Sequence, residues 1–218
     1  SGIAIVGKIL IDQGYKVGLI AQPKCDCPDD ITRLGEPKLY WGVSAGLVDS
    51  MVANYTATKK YRNKDDFTPG GINNRRPDRA IMTYVNLIRQ YFKNTAPIVL
   101  GGIEASLRRV AHFDFWSNNV RKSLIFDSKA DILVYGMAEK TIVDLTKIIS
   151  EGKSEVSLDI KTPLPVDYYP KIKNLQGICY ISKEKVEGYI DLPTYDECKK
   201  DKLQFINMFH LFYNNNEP

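Results

Sequence analysis

The pattern of hydrophobic and polar positions is clearest in the middle of the chain, where two short apolar runs occupy residues 98–100 and 132–135. Both runs consist of β-branched residues and leucine, the second also ends in Tyr135, and glycine follows each of them. Apolar runs of this length that end at glycine are typical of buried strands. We therefore predict two neighbouring strands that end at Gly101 and Gly136.

Other segments extend this pattern along the chain. Residues 17–20 and 39–43 also predict strands, and apolar residues spaced three and four apart predict helices between the strands. Gly14 and Gly152 suit the ends of helices, and Pro77 suits the first position of one. The predicted helices lie at residues 3–12, 30–34, 49–55, 77–92 and 138–151.

Strand and helix therefore alternate from residue 17 to residue 150. This alternation predicts an α/β fold of three layers, a flavodoxin-like parallel sheet flanked by helices. The chain opens on a helix, whereas a sheet with strand order 2-1-3-4-5 begins with a strand. We expect the first strand of the sheet to lie upstream and to be missing from this chain.

The pattern changes after Gly152. Prolines at 163, 165 and 170 predict an extended connection, and residues 177–182 and 188–192 predict a small antiparallel hairpin. Thr194 and Glu197 form a capping-box pair that opens a last helix, with Cys198, Phe205, Ile206 and Phe209 on one side. We expect residues 1–152 to form the α/β domain, and residues 153–218 to form a linker, hairpin and helix.

Composition narrows the class of protein. Hydrophobic residues make up 44% and charged residues 26% of the 218, which is ordinary for a globular protein. No apolar run reaches the roughly 18 residues of a membrane span, and no signal peptide opens the chain, so we expect a cytoplasmic protein without membrane contact. The four cysteines include one CxC pair and no CxxC, which predicts free thiols and no metal site in this chain.

Charge is distributed unevenly. The formal net charge is +4, but residues 59–122 hold thirteen Lys or Arg against five Asp or Glu, a local excess of +8. This basic belt suits a small-molecule substrate with an anionic group, and it leaves nucleic acid open as a partner. A solvated surface with internal ion pairs explains it equally well.

Four loops at the ends of predicted strands are candidate ligand loops. They cover residues 21–23, 42–46, 101–106 and 136–139, and a parallel sheet would gather them at one edge. Glycine there lets backbone N–H groups face an anion, and the alternative is that each glycine only permits a tight turn. The candidate binding residues are Ser44, Gly46, Gly101, Gly102, Glu104, Arg108, Arg109, His112, Asp114 and Gly136.

His112 and the arginine pairs carry the candidate chemistry. A histidine with Asp114 two residues later suits proton transfer, although a lone histidine is more often structural. Adjacent arginines such as Arg108 and Arg109 point in different directions on a helix, so at most one of each pair faces a ligand. The polar segment 56–77 is long for a loop that only connects two elements, which favours a functional or mobile loop.

Several longer runs resemble one family. They are SAGLVDSMVANYTATKK, YTATKKYRNKDDFTPGG, RRPDRA, VLGGIEASLRRVAHFDFWSNNVRKSLIFDSKADILVYGMAE and TYDECKKDK. Together they resemble the amino-terminal region of YgiQ-type radical SAM proteins over nearly the whole chain, least between residues 154 and 173. In that family a domain similar to cobalamin-binding domains precedes a radical SAM barrel.

The resemblance implies an iron–sulfur enzyme that uses S-adenosylmethionine. A CxxxCxxC motif in the barrel would hold the 4Fe-4S cluster, and no such motif occurs here, so we expect both cofactors in the parent protein and none in this chain. Ser44, Gly46, Gly101 and Gly102 stand where cobalamin-binding domains carry small residues, yet we do not expect cobalamin to bind. The expected function is to position substrate or cofactor against the barrel, in a chain that is inactive alone. The alternative is a flavodoxin-like module that stands alone and binds an anionic ligand or nucleic acid without catalysis.

Overall fold

A computed structural model describes residues 2–155, 169–183 and 185–215 of the chain. The strands are β1 (Trp41–Ser44), β2 (Ile98–Gly101), β3 (His112–Asp114), β4 (Asn119–Arg121), β5 (Ile132–Val134) and β6 (Ile178–Tyr180). The longer helices are α1 (Gly2–Asp12), α4 (Ala80–Tyr91), α7 (Glu139–Glu155) and α10 (Lys202–Asn214). The short helices are α2 (Asp29–Thr32), α3 (Ser50–Asn54), α5 (Gly102–Leu107), α6 (Leu124–Ser128), α8 (Tyr169–Ile172) and α9 (Tyr195–Lys200).

The main sheet has the strand order β1-β2-β5-β6. Strands β1, β2 and β5 are parallel, and β6 runs antiparallel to β5. The apolar residues 98–100 of β2 and 132–134 of β5 are all buried, because helices cover both faces of the sheet. The predicted α/β fold with a parallel sheet flanked by helices is confirmed, and the antiparallel β6 makes the sheet mixed.

The two faces of the sheet build two hydrophobic clusters. Ile98, Leu100 and Leu133 pack against α4 and α6 on one face. On the other face Val99, Ile132 and Val134 pack against α1 and α7. Alternate residues of a strand point to opposite faces, so each apolar run contributes to both clusters. The predicted strands therefore form the middle layer, and their carboxyl ends share one edge.

The amino-terminal strand prediction is wrong. Residues 17–20 form no strand, and Val17 and Leu19 are exposed. A strand needs a hydrogen-bonding neighbour, and no strand of the described residues pairs with this segment, which leaves β1 at the edge of the sheet. The expected upstream strand stays a prediction.

The predicted carboxy-terminal hairpin is also wrong. Residues 178–180 do form a strand, but it pairs with β5 in the main sheet, and residues 188–192 form turns and coil. An apolar strand gains more by covering the open edge of β5 than by pairing with a short exposed segment. Residues 163 and 165 lie outside the described residues, Pro170 lies inside α8, and the domain boundary at residue 152 stays a prediction.

Three helix boundaries differ from the prediction. Helix α4 begins at Ala80, three residues after Pro77, because Arg79 precedes it in a left-handed conformation. Helix α7 continues through Gly152, whose neighbours keep the helical hydrogen bonds. The capping box of Thr194 and Glu197 is confirmed, but it opens the short helix α9, and α10 begins separately with Asp201 as its cap.

Candidate functional site

The loops after β1, β2 and β5 meet at one edge of the sheet, and we call residues 44–47, 101–108 and 135–138 the rim. Ser44 lies beside Gly101 in the β1–β2 register. The backbone N–H of Gly136 donates to Ser106 Oγ at 3.3 Å, which joins the third loop to the second. The predicted convergence of these three loops is present in the structure. The loop at residues 21–23 follows no strand, and Gln22 instead donates to Thr68 at 2.7 Å in the 56–77 segment.

Ser44 and Gly102 form the closest approach on the rim. A Cβ atom at Gly102 would lie 2.5 Å from Ser44 Oγ, and the positive φ of Gly102 (+83°) also favours glycine. Ser44 Oγ in turn accepts a hydrogen bond from the N–H of Gly46 at 3.2 Å. Four predicted residues, Ser44, Gly46, Gly101 and Gly102, therefore form one tight backbone corner.

Glu104 lies beneath this corner and is only 2% exposed. Its carboxylate accepts hydrogen bonds from Ser50 N at 2.8 Å, from Ser50 Oγ at 2.5 Å and from Ile81 N at 3.3 Å. These donors lie at the amino-terminal ends of α3 and α4, where backbone N–H groups have no partner within the helix. Glu104 therefore joins α5 to two other helices, and its oxygens are already engaged within the protein.

Arg108 completes the same buried network. Its guanidinium forms an ion pair with Asp49 and a longer one with Glu104 at 3.8 Å. Asp49 also caps α3, because its side chain accepts from the N–H groups of Met51 and Val52. Sequence reasoning missed Asp49. The signal was an aspartate at the first position of the predicted helix 49–55, a residue type that suits a helix cap, although its contact with Arg108 depends on the tertiary structure.

Arg109 points away from this network. Its guanidinium lies between the rings of Tyr135 and Phe212, 4.5 Å from each ring centre. Each contact is a cation–π interaction, and together they fasten α10 to the end of β5. The two adjacent arginines do point in different directions, and neither presents an unpaired guanidinium to the rim.

The other two polar candidates, His112 and Asp114, lie on β3, which forms a hairpin with β4. Asp114 is buried and pairs with Arg79 at 2.7 Å and with Ser117 Oγ at 2.5 Å. Burial by itself raises the pKa of Asp114, but the Ser117 hydroxyl and the Arg79 guanidinium outweigh it and lower the pKa to about 2. Asp114 is therefore a charged structural carboxylate at neutral pH.

His112 is the candidate with an uncommitted polar atom among the described residues. Its Nδ1 donates to the Val110 carbonyl at 3.2 Å, which leaves Nε2 as an acceptor. Burial lowers the pKa of His112, and the nearby Arg108 charge lowers it further, so the imidazole is neutral at physiological pH. A neutral imidazole with one open nitrogen suits accepting a hydrogen bond or a proton.

His112 faces a small polar cavity of about 20 Å³. That volume holds about one water molecule and excludes a larger ligand. Three arginines and three carboxylates line or adjoin the cavity, so its charges are balanced internally. They are Arg79, Arg108, Arg121, Glu104, Asp114 and Asp127.

Segment 56–77 is held in place by polar contacts that the sequence did not predict. Asp65 and Arg76 form a buried ion pair at 2.9 Å, and Tyr61 donates to the Asn73 carbonyl at 2.5 Å. The Arg76 partner and the hydroxyl of Thr68 lower the pKa of Asp65 against the opposing effect of burial. Arg121 pairs with Asp127 at 3.2 Å, so four arginines of the basic belt are paired with carboxylates, namely Arg76, Arg79, Arg108 and Arg121. This pairing supports the explanation by internal ion pairs for part of the belt.

The cysteines do not fit an iron–sulfur cluster. Cys25 and Cys27 are half-buried on a loop, Cys179 lies on β6 and Cys198 is buried on α9. Burial raises the pKa of Cys179 to about 11, so this thiol is protonated at neutral pH, whereas a cluster is held by thiolates. No group of three His, Cys, Asp or Glu side chains suitable for a metal ion occurs in the part of the chain that the structure describes.

The rim, the sheet order and the covering helices define an α/β domain whose parallel strands end at one edge. Within residues 2–155, 169–183 and 185–215, no helix is both long and apolar enough to cross a membrane. No solved structure is significantly similar to the chain.

Comparison with known families assigns the chain to one family. The model of the radical SAM N-terminal family matches residues 1–218, and the chain belongs to this family. A UPF0313 protein of Fusobacterium nucleatum is 52% identical over 219 residues, which cover 100% of this chain and 36% of that protein. UPF0313 proteins of Thermotoga petrophila and Clostridium botulinum are 49% and 42% identical and are covered over 34% and 31% of their lengths. The chain thus spans about a third of the length of the curated relatives that it matches.

Proposed function

We propose that this chain is the amino-terminal domain of a radical SAM enzyme and that its rim forms one wall of the substrate site. The family match over the whole chain supports the first part. The relatives are about three times as long, which leaves room for a catalytic barrel in the parent protein. A 4Fe-4S cluster in that barrel would reductively cleave S-adenosylmethionine and so supply a radical.

The rim is the observation that carries the second part. Ligands of open α/β sheets bind outside the carboxyl ends of the strands, and here three such loops meet. His112 lines the same small cavity as Glu104 and Arg108 of the rim, so its neutral Nε2 would reach a ligand on the rim through one bridging water molecule. Ile103, Leu107 and Met137 expose apolar side chains on the rim. This combination favours a small molecule that has both a polar group and an apolar part.

The paired arginines refine the expected ligand. A polyanion such as nucleic acid is bound mainly by unpaired Lys and Arg side chains along a surface. Arg76, Arg79, Arg108 and Arg121 are each paired with a carboxylate, so these four side chains are not available to a polyanion. We therefore favour a small-molecule substrate over nucleic acid, and cobalamin forms no part of the proposal.

Cofactor assignment is tested by comparing the full-length protein with the 218-residue chain. After anaerobic reconstitution with iron and sulfide, we expect the full-length protein to bind a cluster and to cleave S-adenosylmethionine when dithionite is added. The 218-residue chain should bind no cluster, because its cysteines lie on three separate elements and burial raises the pKa of the Cys179 thiol to about 11. A cluster in the short chain, or no cleavage by the full-length protein, would contradict the proposal.

The role of His112 is tested in the same full-length protein. We expect the small-molecule fraction of a cell extract to stimulate cleavage, and we expect His112→Ala to lose that stimulation while unstimulated cleavage persists. His210→Ala is the matched control, because His210 is the other histidine of the chain and is exposed on α10. Equal stimulation of the His112→Ala variant and the control would remove His112 from the proposed site.

A further inference from the structure

Helix α10 is apolar on two opposite sides. Its inner side contains Met208, which is buried, and Phe205 and Phe212, which are half-buried. Its other side carries four residues that we call the outer stripe. They are Leu203, Ile206, Phe209 and Tyr213.

The outer stripe is exposed in this structure. Leu203 is 72%, Ile206 49%, Phe209 52% and Tyr213 70% accessible. Single exposed apolar residues are normal on a protein surface, but four on one side of one helix form a continuous patch. Such a helix is typically covered on both sides, because a surface helix usually has only one apolar face.

The position of α10 is determined by its inner side. Arg109 lies between Tyr135 and Phe212, so the carboxy-terminal half of α10 is held beside the end of β5. The rings of Phe209 and Tyr213 stack with their centres 6.1 Å apart and an angle of 20° between them. The patch is therefore presented on a fixed helix next to the rim.

We propose that the outer stripe is the surface on which the barrel of the full-length protein docks. This inference rests on the proposed function, since it needs a barrel in the same polypeptide. Helix α10 extends to Asn214. This chain covers about a third of its relatives, and the model of the amino-terminal family matches it through α10. In those relatives the rest of the polypeptide therefore continues from the end of α10 that carries Tyr213.

The chemistry of the stripe also favours a protein surface as its partner. It contains no charged side chain, which disfavours nucleic acid and suits the apolar surface of a neighbouring domain. Arg109 and Tyr135 place α10 beside the rim loop that carries Met137, which is 88% exposed. A barrel seated on the stripe would therefore also close over the rim.

Site-specific photocrosslinking in the full-length protein tests this docking. Phe209 is replaced by p-benzoylphenylalanine, and the same replacement at Phe67, an exposed aromatic position in segment 56–77, is the control. We expect crosslinks from position 209 to peptides beyond residue 218, and none to those peptides from position 67. Adding Ile206→Asp should abolish the crosslinks while the circular dichroism spectrum stays unchanged.

Other results overturn the inference. Crosslinks from position 209 that join two protein molecules would show that a second copy covers the stripe. Crosslinks confined to residues 1–218, or none, would show that the barrel does not dock there. The two proposals fail separately, because cleavage of S-adenosylmethionine by the same preparation reports the proposed function whatever the crosslinks show.

Discussion

The buried network beneath the rim and the outer stripe of α10 differ in whether their side chains are packed and paired within this chain or face solvent. In the network, Glu104 and Arg108 find their hydrogen-bond and ion-pair partners within the domain. On the stripe, four apolar side chains face solvent. Buried polar groups must be paired for the domain to fold, whereas an uncovered apolar surface is typical of an interaction site. The difference indicates that the network supports the fold and that the stripe serves contact with a partner.

Removing Glu104 is expected to have the largest effect. Glu104→Ala leaves the donors of Ser50 and Ile81 without their acceptor and leaves Arg108 with one partner, so the free energy of unfolding should fall by about 3 kcal/mol. Denaturant unfolding followed by circular dichroism measures this loss. Glu151→Ala, at an exposed position on α7, is the control and should change stability by less than about 0.5 kcal/mol. Equal losses of stability in the two variants would show that Glu104 stabilises the fold no more than an exposed glutamate does.

The Ser44–Gly102 corner is expected to have an intermediate effect. Gly102→Ala adds a Cβ atom at positive φ and forces Ser44 away from the Gly46 N–H, at a cost of about 2 kcal/mol. Gly70→Ala has a similar φ of +86° and open space around its Cβ, so it should cost only about 1 kcal/mol. Thermal unfolding of both variants measures the difference. Repeating Gly102→Ala with Ser44→Ala should remove that difference, and a difference that persisted would contradict the contact.

The outer stripe is expected to have the smallest effect. Leu203→Gln should change the stability of the 218-residue chain by less than about 0.5 kcal/mol, because Leu203 is already exposed. Met208→Gln on the inner side of the same helix should cost about 2 kcal/mol, because Met208 is buried. Denaturant midpoints compare the two variants. A large loss for Leu203→Gln would show that the stripe already has a partner within this chain or in a second copy.

The sequence predicted the features that depend on local pattern. The apolar runs at residues 98–100 and 132–135 became β2 and β5, because β-branched residues bounded by glycine suit a strand buried on both faces. The capping box of Thr194 and Glu197 was also readable, because both of its hydrogen bonds lie within four residues. The convergence of Ser44, Gly101 and Gly136 followed from parallel topology alone. The family followed from the long quoted runs.

Features that depend on residues far apart in the chain could not be predicted from the sequence. Residues 17–20 have the composition of a strand but no hydrogen-bonding neighbour among the described residues. Strand β6 pairs with β5, although the apolar segment nearest to β6 in the sequence is residues 188–192. The charge count of residues 59–122 suggested a cationic surface, but Arg76, Arg79, Arg108 and Arg121 are paired with carboxylates. Three of these pairings span at least eleven residues, so composition could not reveal them.

Local residue patterns thus defined the strands, the turns and the place where the strand ends meet, because the preferences of glycine and of β-branched residues act over a few bonds. Long-range packing selected the partners of Glu104, Arg108 and Arg109, and it determined which side of α10 is covered. Ion pairs and helix contacts join residues that are far apart in the chain, and the positions of those residues are defined only when the sheet and its helices have assembled.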